Sequence, residues 1–217
     1  LSFLLMDKEW FRPWGVLQRI GRCCVVVGLL ALHSKVRLQW AVITGLLLGY
    51  WGLLLIGGSF EPWINLASRV DTALLGPLLY QFDPATGLGH DPEGLLSTLP
   101  AIATTLLGLR AGDWLRRGRT MRLVCAGLVA LVLGLLWSQW FPLNKNLWTS
   151  SYVLWTAGWA MLGLAVAHVL IDRRQWPALG RSFGVNAIAA YVGSAAMVYL
   201  PNLSMVFLLA VLLCGMR

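Results

Sequence analysis

The stretch LQWAVITGLLLGYWGLLLI, Leu38 to Ile56, decides the fold class. It carries no charged residue, and as a helix rising 1.5 Å per residue it covers about 28 Å, close to the roughly 30 Å of a bilayer core. Lipid offers no partners to backbone N–H and C=O groups, so helix is the required conformation. Outward from it lie further apolar segments: Val16–Leu32 before, then Leu95–Trp114, Leu123–Trp140, Tyr152–Ile171, Phe183–Leu200 and the shorter Leu203–Met216. The pattern predicts an all-α polytopic transmembrane bundle of about six to seven spans, forming a single domain over residues 1–217.

Composition agrees. The chain is 58% hydrophobic and 12% charged, whereas soluble domains carry about a quarter charged residues. Too little polar surface is left to solvate a globule of this size. Twelve tryptophans suit the headgroup level of a bilayer. The net charge of +8 falls in alternate short loops: Lys35 and Arg37, then Arg116, Arg117, Arg119 and Arg122, then Arg173, Arg174 and Arg181. The intervening loops hold only Arg69 and Lys145. Such alternation is a topology signal that makes the basic loops cytoplasmic, and it removes nucleic acid as the explanation of the charge. Cys23, Cys24, Cys125 and Cys214 lie in apolar runs without metal-ligand spacing, which predicts buried, inert thiols and no metal site.

Residues 57–94 form one long non-cytoplasmic loop holding five of the nine acids, Glu61, Asp71, Asp83, Asp91 and Glu93. Leu66, Val70, Leu74 and Leu75 recur at helical spacing, which predicts a short helix within Trp63–Leu75 lying along the membrane surface. Pro100, inside the third span, is expected to bend it.

Three polar groups fall at the non-cytoplasmic edge: His90-Asp91-Pro92-Glu93-Gly94, Asn144-Lys145-Asn146, and Arg19 with Gln18 and Arg22 in the first span. Each has a plain structural alternative. An acid before a helix serves its dipole, a lysine at the interface snorkels, and Asn186 in the sixth span bridges helices as readily as it touches a ligand. Asn186 also falls near the cytoplasmic end, away from the others. An intramembrane arginine such as Arg19, by contrast, is a functional-site hypothesis by default. Together the edge groups predict a polar pocket, open away from the cytoplasm, for a polar or sugar-like molecule.

The stretches GVLQRIG (15–21), HDPEGLLSTLPAIATTLLGLRAG (90–112), FPLNKNLWTSSYVLWTAG (141–158) and FGVNAIAAYVG (183–193) resemble the transmembrane acyltransferases related to heparan-alpha-glucosaminide N-acetyltransferase, bacterial members among them. The resemblance covers essentially the whole chain, and DPEG together with NKNLW makes it specific. It implies transfer of an acetyl group from cytoplasmic acetyl-CoA, the co-substrate, to the amine of a glucosamine-type acceptor across the membrane. It further implies substrate-binding roles for Arg19, Asp71, Asp91, Glu93, Asn144, Lys145, Asn146 and Asn186, with Arg116, Arg117 and Arg119 placed to attract the CoA phosphates. The family's catalytic histidine belongs upstream of the LQR motif, where this chain has no counterpart. The expectation is therefore a C-terminal portion that lacks the first helices and is incomplete for catalysis, and His90 is a lesser candidate base beside its two carboxylates. Membrane lipid and the amino sugar are the expected partners, a homodimer is compatible with the reading, and a bacterial inner membrane is the expected location. An amino-sugar permease using a Pro-bent helix and a non-catalytic membrane subunit are the alternatives.

Overall fold

The computed structural model describes residues 15–178 and 180–199, which fall into two units: one containing residues 15–166, the other 167–178 and 180–199. In the larger unit the described helices are α1 (Val16–His33), α2 (Val36–Ile56), α3 (Leu66–Leu75), α4 (Thr98–Arg116), α5 (Thr120–Trp137) and α6 (Ser150–Ala167), the last ending at the unit's edge. Between α3 and α4 a 3-10 turn at Gly76–Leu78 leads into an antiparallel hairpin of β1 (Gln81–Asp83) and β2 (Leu88–His90), with Phe82 opposite Gly89. The smaller unit contains π-helical turns at His168–Arg173, then α7 (Arg181–Val185) and α8 (Ala187–Tyr199).

Among the described residues four helices are long and apolar enough to cross a membrane: Val16–His33, Val36–Ile56, Thr120–Trp137 and Ser150–Arg173. These match four of the expected spans, and the chain is a mostly helical, multi-pass integral membrane protein. The fuller count of six to seven is not reached, for three physical reasons. The third expected span is α4, which is long enough but carries Arg110, Asp113 and Arg116 in its last turns. The sixth is divided at Asn186, whose φ of −107° and ψ of 37° end α7. The seventh, 203–216, lies outside the described residues.

Pro100 does not bend a span. Helix α4 starts at Thr98, so the proline sits in its first turn, where an N–H would have no intrahelical acceptor anyway. The surface segment is helical, as its spacing predicts, and Asn65 caps it by accepting the Ser68 N–H at 2.8 Å.

Helix α4 is the hub of the larger unit. Ala103, Leu106, Leu107 and Ala111 on α4 pack with Val27 of α1, Ile43 and Leu47 of α2, and Val153, Ala157 and Met161 of α6. Helices α5 and α6 meet through glycines: a Cβ at Gly134 would stand 2.7 Å from the Trp155 nitrogen, and one at Gly158 would stand 2.8 Å from the Gly127 oxygen. In lipid such small residues let backbones approach and van der Waals contact accumulate. A second cluster of Tyr50, Leu54, Ala67, Phe141 and Leu147 seats α3 against the end of α2. Of the cysteines, Cys23 is buried as expected, while Cys24 and Cys125 are exposed on the apolar spans; a thiol is apolar enough to face lipid.

Candidate functional site

Arg19 lies one turn into α1 and is 6% exposed. Its Nη1 donates to the Pro92 carbonyl at 2.8 Å and its Nη2 to the Ser97 carbonyl. Its guanidinium carbon sits 4.5 Å from the centre of the Trp148 ring, a cation–π contact. One side chain thus joins the first span, the HDPEG turn and the NKNLW turn. The sequence brings Arg19 to that edge, but its two terminal nitrogens hold the protein's own carbonyls.

The acids behave alike. Asp91 Oδ1 accepts the Glu93 N–H at 2.9 Å and its Oδ2 the Tyr80 N–H at 3.1 Å, so Asp91 shapes the turn and ties it to the hairpin. Asp71 of α3, 1% exposed, accepts the Leu95 N–H at 2.9 Å. A methyl group at Gly94 would collide with that carboxyl, so a larger residue there would have to push Asp71 off the Leu95 N–H. Burial raises the Asp71 pKa to about 6, with Asp91 adding to the rise, while the N–H groups of Leu95 and Leu96 and the charge of Arg19 act against it. Glu93 is half-buried beside them, near enough for its charge to act on Arg19.

His90 closes the hairpin with its Nδ1 2.9 Å from Ser68 Oγ, and its buried Nε2 has no partner. Burial holds its imidazole below the usual pKa. It is placed as a core histidine of the lobe, sealed from either face. Asp83, exposed on the hairpin, is held low by the Thr86 hydroxyl and the Ala85 N–H.

Asn144 Oδ1 accepts the N–H groups of Asn146 and Leu147 at 2.9 and 3.2 Å, while the Lys145 and Asn146 side chains are exposed. The turn presents Trp148 in the left-handed region (φ 52°), an uncommon state for an aromatic residue. Tyr50 anchors it by donating to the Leu147 carbonyl at 2.6 Å. Arg19, Asp71, Asp91, Glu93 and the 144–148 turn therefore share one edge of the larger unit. Asn186 belongs to the smaller unit, where it is exposed and its Nδ2 donates to the Ser182 carbonyl at 3.1 Å.

Beyond Trp148 a cavity of about 380 Å³ runs between α4 and α6. Thr104 and Tyr152 line it near the indole, Gly108 and Ala157 its middle, and Ala111 and Leu164 its far end. Trp148 Nε1 donates to Thr104 Oγ1 at 3.1 Å, and Tyr152 packs edge-on to the indole with ring centres 5.7 Å apart. Sequence spacing did not single out Thr104, Tyr152 or Trp148, because an alternation of small and aromatic residues on two apolar helices reads as packing. Past the cavity's far end, α4 closes in the Arg116-Arg117-Gly118-Arg119 turn, where Asp113 Oδ1 lies 3.0 Å from Arg117 Nε and 3.9 Å from Arg116 Nη2.

No family model matches the chain. Heparan-alpha-glucosaminide N-acetyltransferase of Mus musculus is 34% identical over 149 residues, covering 58% of this chain and 22% of its own length. The Homo sapiens protein of the same name is 30% identical over 256 aligned positions, covering 88% of this chain and 38% of its own length. The chain thus spans between about a fifth and two fifths of these curated relatives. Identity of this degree across most of the chain, on a helical membrane scaffold, makes it a relative of the heparan-alpha-glucosaminide N-acetyltransferase family.

Proposed function

We propose that the chain is part of a membrane acetyltransferase that takes acetyl groups from cytoplasmic acetyl-CoA and delivers them to the amine of a glucosamine-type sugar on the opposite face. The observation that carries the reading is the apolar-walled cavity between α4 and α6, with Trp148 among the residues that line its polar end. Its other end points toward a turn with four arginines, Arg116, Arg117, Arg119 and Arg122. A CoA thioester has matching parts: phosphates for the arginines and a thin pantetheine arm that brings the thioester toward the polar edge. Arginine suits phosphate better than lysine because its planar fork donates two parallel hydrogen bonds.

At that edge the acceptor amine attacks the thioester carbonyl carbon, the C–S bond breaks, and CoA leaves as the thiolate while the amine releases a proton. Lys145 and Asn146, exposed beside Trp148, are the side chains free to meet a sugar hydroxyl or the developing oxyanion. Asp71, Asp91 and Arg19 act one step back, by fixing the turns that frame the edge. This chain would contribute about six to seven spans to the full protein, with the arginine turn on the cytoplasmic side of a bacterial inner membrane. A permease loses its main support, since Pro100 leaves α4 unbroken.

The test is acetyl transfer in sealed vesicles carrying the full-length gene product, with labelled acetyl-CoA on the arginine side and glucosamine on the other. Labelled N-acetylglucosamine appearing only on the glucosamine side is the expected result. Glucosamine crossing unmodified, with no labelled product, would overturn the enzyme reading in favour of transport.

A further inference from the structure

We propose that Trp148 sets the length of the acyl group the protein accepts, acting as the end wall of the donor cavity; this rests on the reading of that cavity as the slot for a CoA thioester. The wall residues run in order along two helices that descend side by side. Tyr152 to Leu164 gives a wall of about 18 Å on α6 and Thr104 to Ala111 one of about 10 Å on α4, at 1.5 Å per residue. Small residues in its middle, Gly108 and Ala157, leave it open: nothing lies within 4 Å of a Cβ placed at Gly108. Near its polar end the indole of Trp148 lies against Thr104 and Tyr152.

That indole is fixed from every side that matters. Its N–H donates to Thr104, Tyr152 meets it edge-on, and the Arg19 guanidinium covers a face. Arg19 itself is held by two buried carbonyls. The backbone of Trp148 is in the left-handed region, with the preceding carbonyl held by Tyr50. A side chain secured in this way defines a fixed length rather than an adaptable one. An acetyl group stops short of the ring, and each further methylene presses on it.

Replacing the indole is not expected to unfold the edge. Arg19 keeps both carbonyl partners without the ring, and Thr104 Oγ1 keeps its bond to the Pro100 carbonyl at 3.0 Å. Trp148→Ala would join the slot to the space below Arg19, and Trp148→Phe would shorten the wall while leaving an aromatic face for the guanidinium.

The experiment is equilibrium binding of free CoA, acetyl-CoA, butyryl-CoA and hexanoyl-CoA to the full-length gene product in lipid nanodiscs, by competition against labelled acetyl-CoA. The wild type should bind hexanoyl-CoA at least tenfold more weakly than acetyl-CoA, the scale on which a pocket rejects methylenes that do not fit. In Trp148→Ala the gap should close to within about threefold with free CoA affinity unchanged, and Trp148→Phe should move the cutoff toward butyryl. An unchanged length profile in a Trp148→Ala protein that still binds CoA would overturn the end-wall role alone. A wild type that binds no CoA thioester would overturn the donor reading beneath it.

Discussion

Leu48, Val129 and Val132 stand about half-exposed on the spanning helices, whereas Ser68, Asp71, His90 and Asp91 of the lobe between α2 and α4 are almost wholly buried. The two regions have opposite distributions of polarity, and their solvents explain it. The helices satisfy their backbone internally and turn leucines toward lipid. The lobe folds outside the hydrocarbon from short elements, a ten-residue helix and two three-residue strands, and these leave many backbone groups to be met by side chains. Its acids and histidine therefore serve its own main chain. The comparison teaches that charge density alone does not mark a binding surface here, because a compact polar lobe consumes its carboxylates internally. On the proposed function, a ligand meets the groups at the seam, Trp148 and Lys145 beside the cavity.

The sharpest way to break this contrast is Arg19, the residue that staples the two regions. Arg19→Ala should lower stability by about 3 kcal/mol, since it strips donors from two carbonyls at the seam and ends a cation–π contact. Thermal unfolding in detergent would register this as a fall in midpoint, and Arg19→Lys should recover part of it with a single donor. A midpoint unchanged in Arg19→Ala, with acetyl-CoA binding lost, would make Arg19 a ligand contact instead of a staple.

A second substitution probes the lipid-side half. Gly134→Leu forces a side chain against the backbone of Trp155 and Ser151 and should cost about 2 kcal/mol by overpacking. Gly45→Leu is the control, because nothing lies within 4 Å of a Cβ there, and it should leave the midpoint nearly unmoved. Equal losses from both would mean that the cost does not arise from close packing at the α5–α6 crossing.

The spans were legible because membrane helices declare themselves by length and missing charge. Val16–His33 and Val36–Ile56 fall within two residues of the expected bounds, and the helix at Leu66–Leu75 follows from its apolar spacing. The hairpin was not legible. Strands of three residues are too short for alternation to show, and His90 looks the same in sequence whether it faces a pocket or Ser68. Arg19 and Asp91 stand out in the sequence as polar residues at the non-cytoplasmic edge, and Asp71 enters through the family resemblance. What could not be read was the direction of their bonds, since the carbonyls of Pro92 and Ser97 and the N–H of Leu95 belong to the backbone and leave no mark in a sequence. Trp148 belongs to the NKNLW motif, but its place at the cavity depends on Thr104, 44 positions away.

Asp71 gives the smallest and most diagnostic effect. Its carboxyl titrates near pH 6 in the folded lobe against an ordinary value of 3.8, so between about pH 4 and 6 the native state binds the proton and the unfolded state does not. Stability from this group is therefore gained as pH falls from about 6 to 4 and is absent above 6. His90 has the opposite sign. Its pKa is lowered by burial from the ordinary 6.5, so the stability from its neutral native form is fully present above that ordinary value and is lost as pH falls from there through the lowered native pKa. The two partly cancel in the wild type, which makes the difference curve the useful one. Asp71→Asn keeps an oxygen for the Leu95 N–H and removes the titration while leaving His90 in place. The unfolding midpoint of the variant, relative to wild type, should rise as pH increases from 4 to 6 and then stay level. Curves that run parallel over that range would mean Asp71 is already ionised at pH 4.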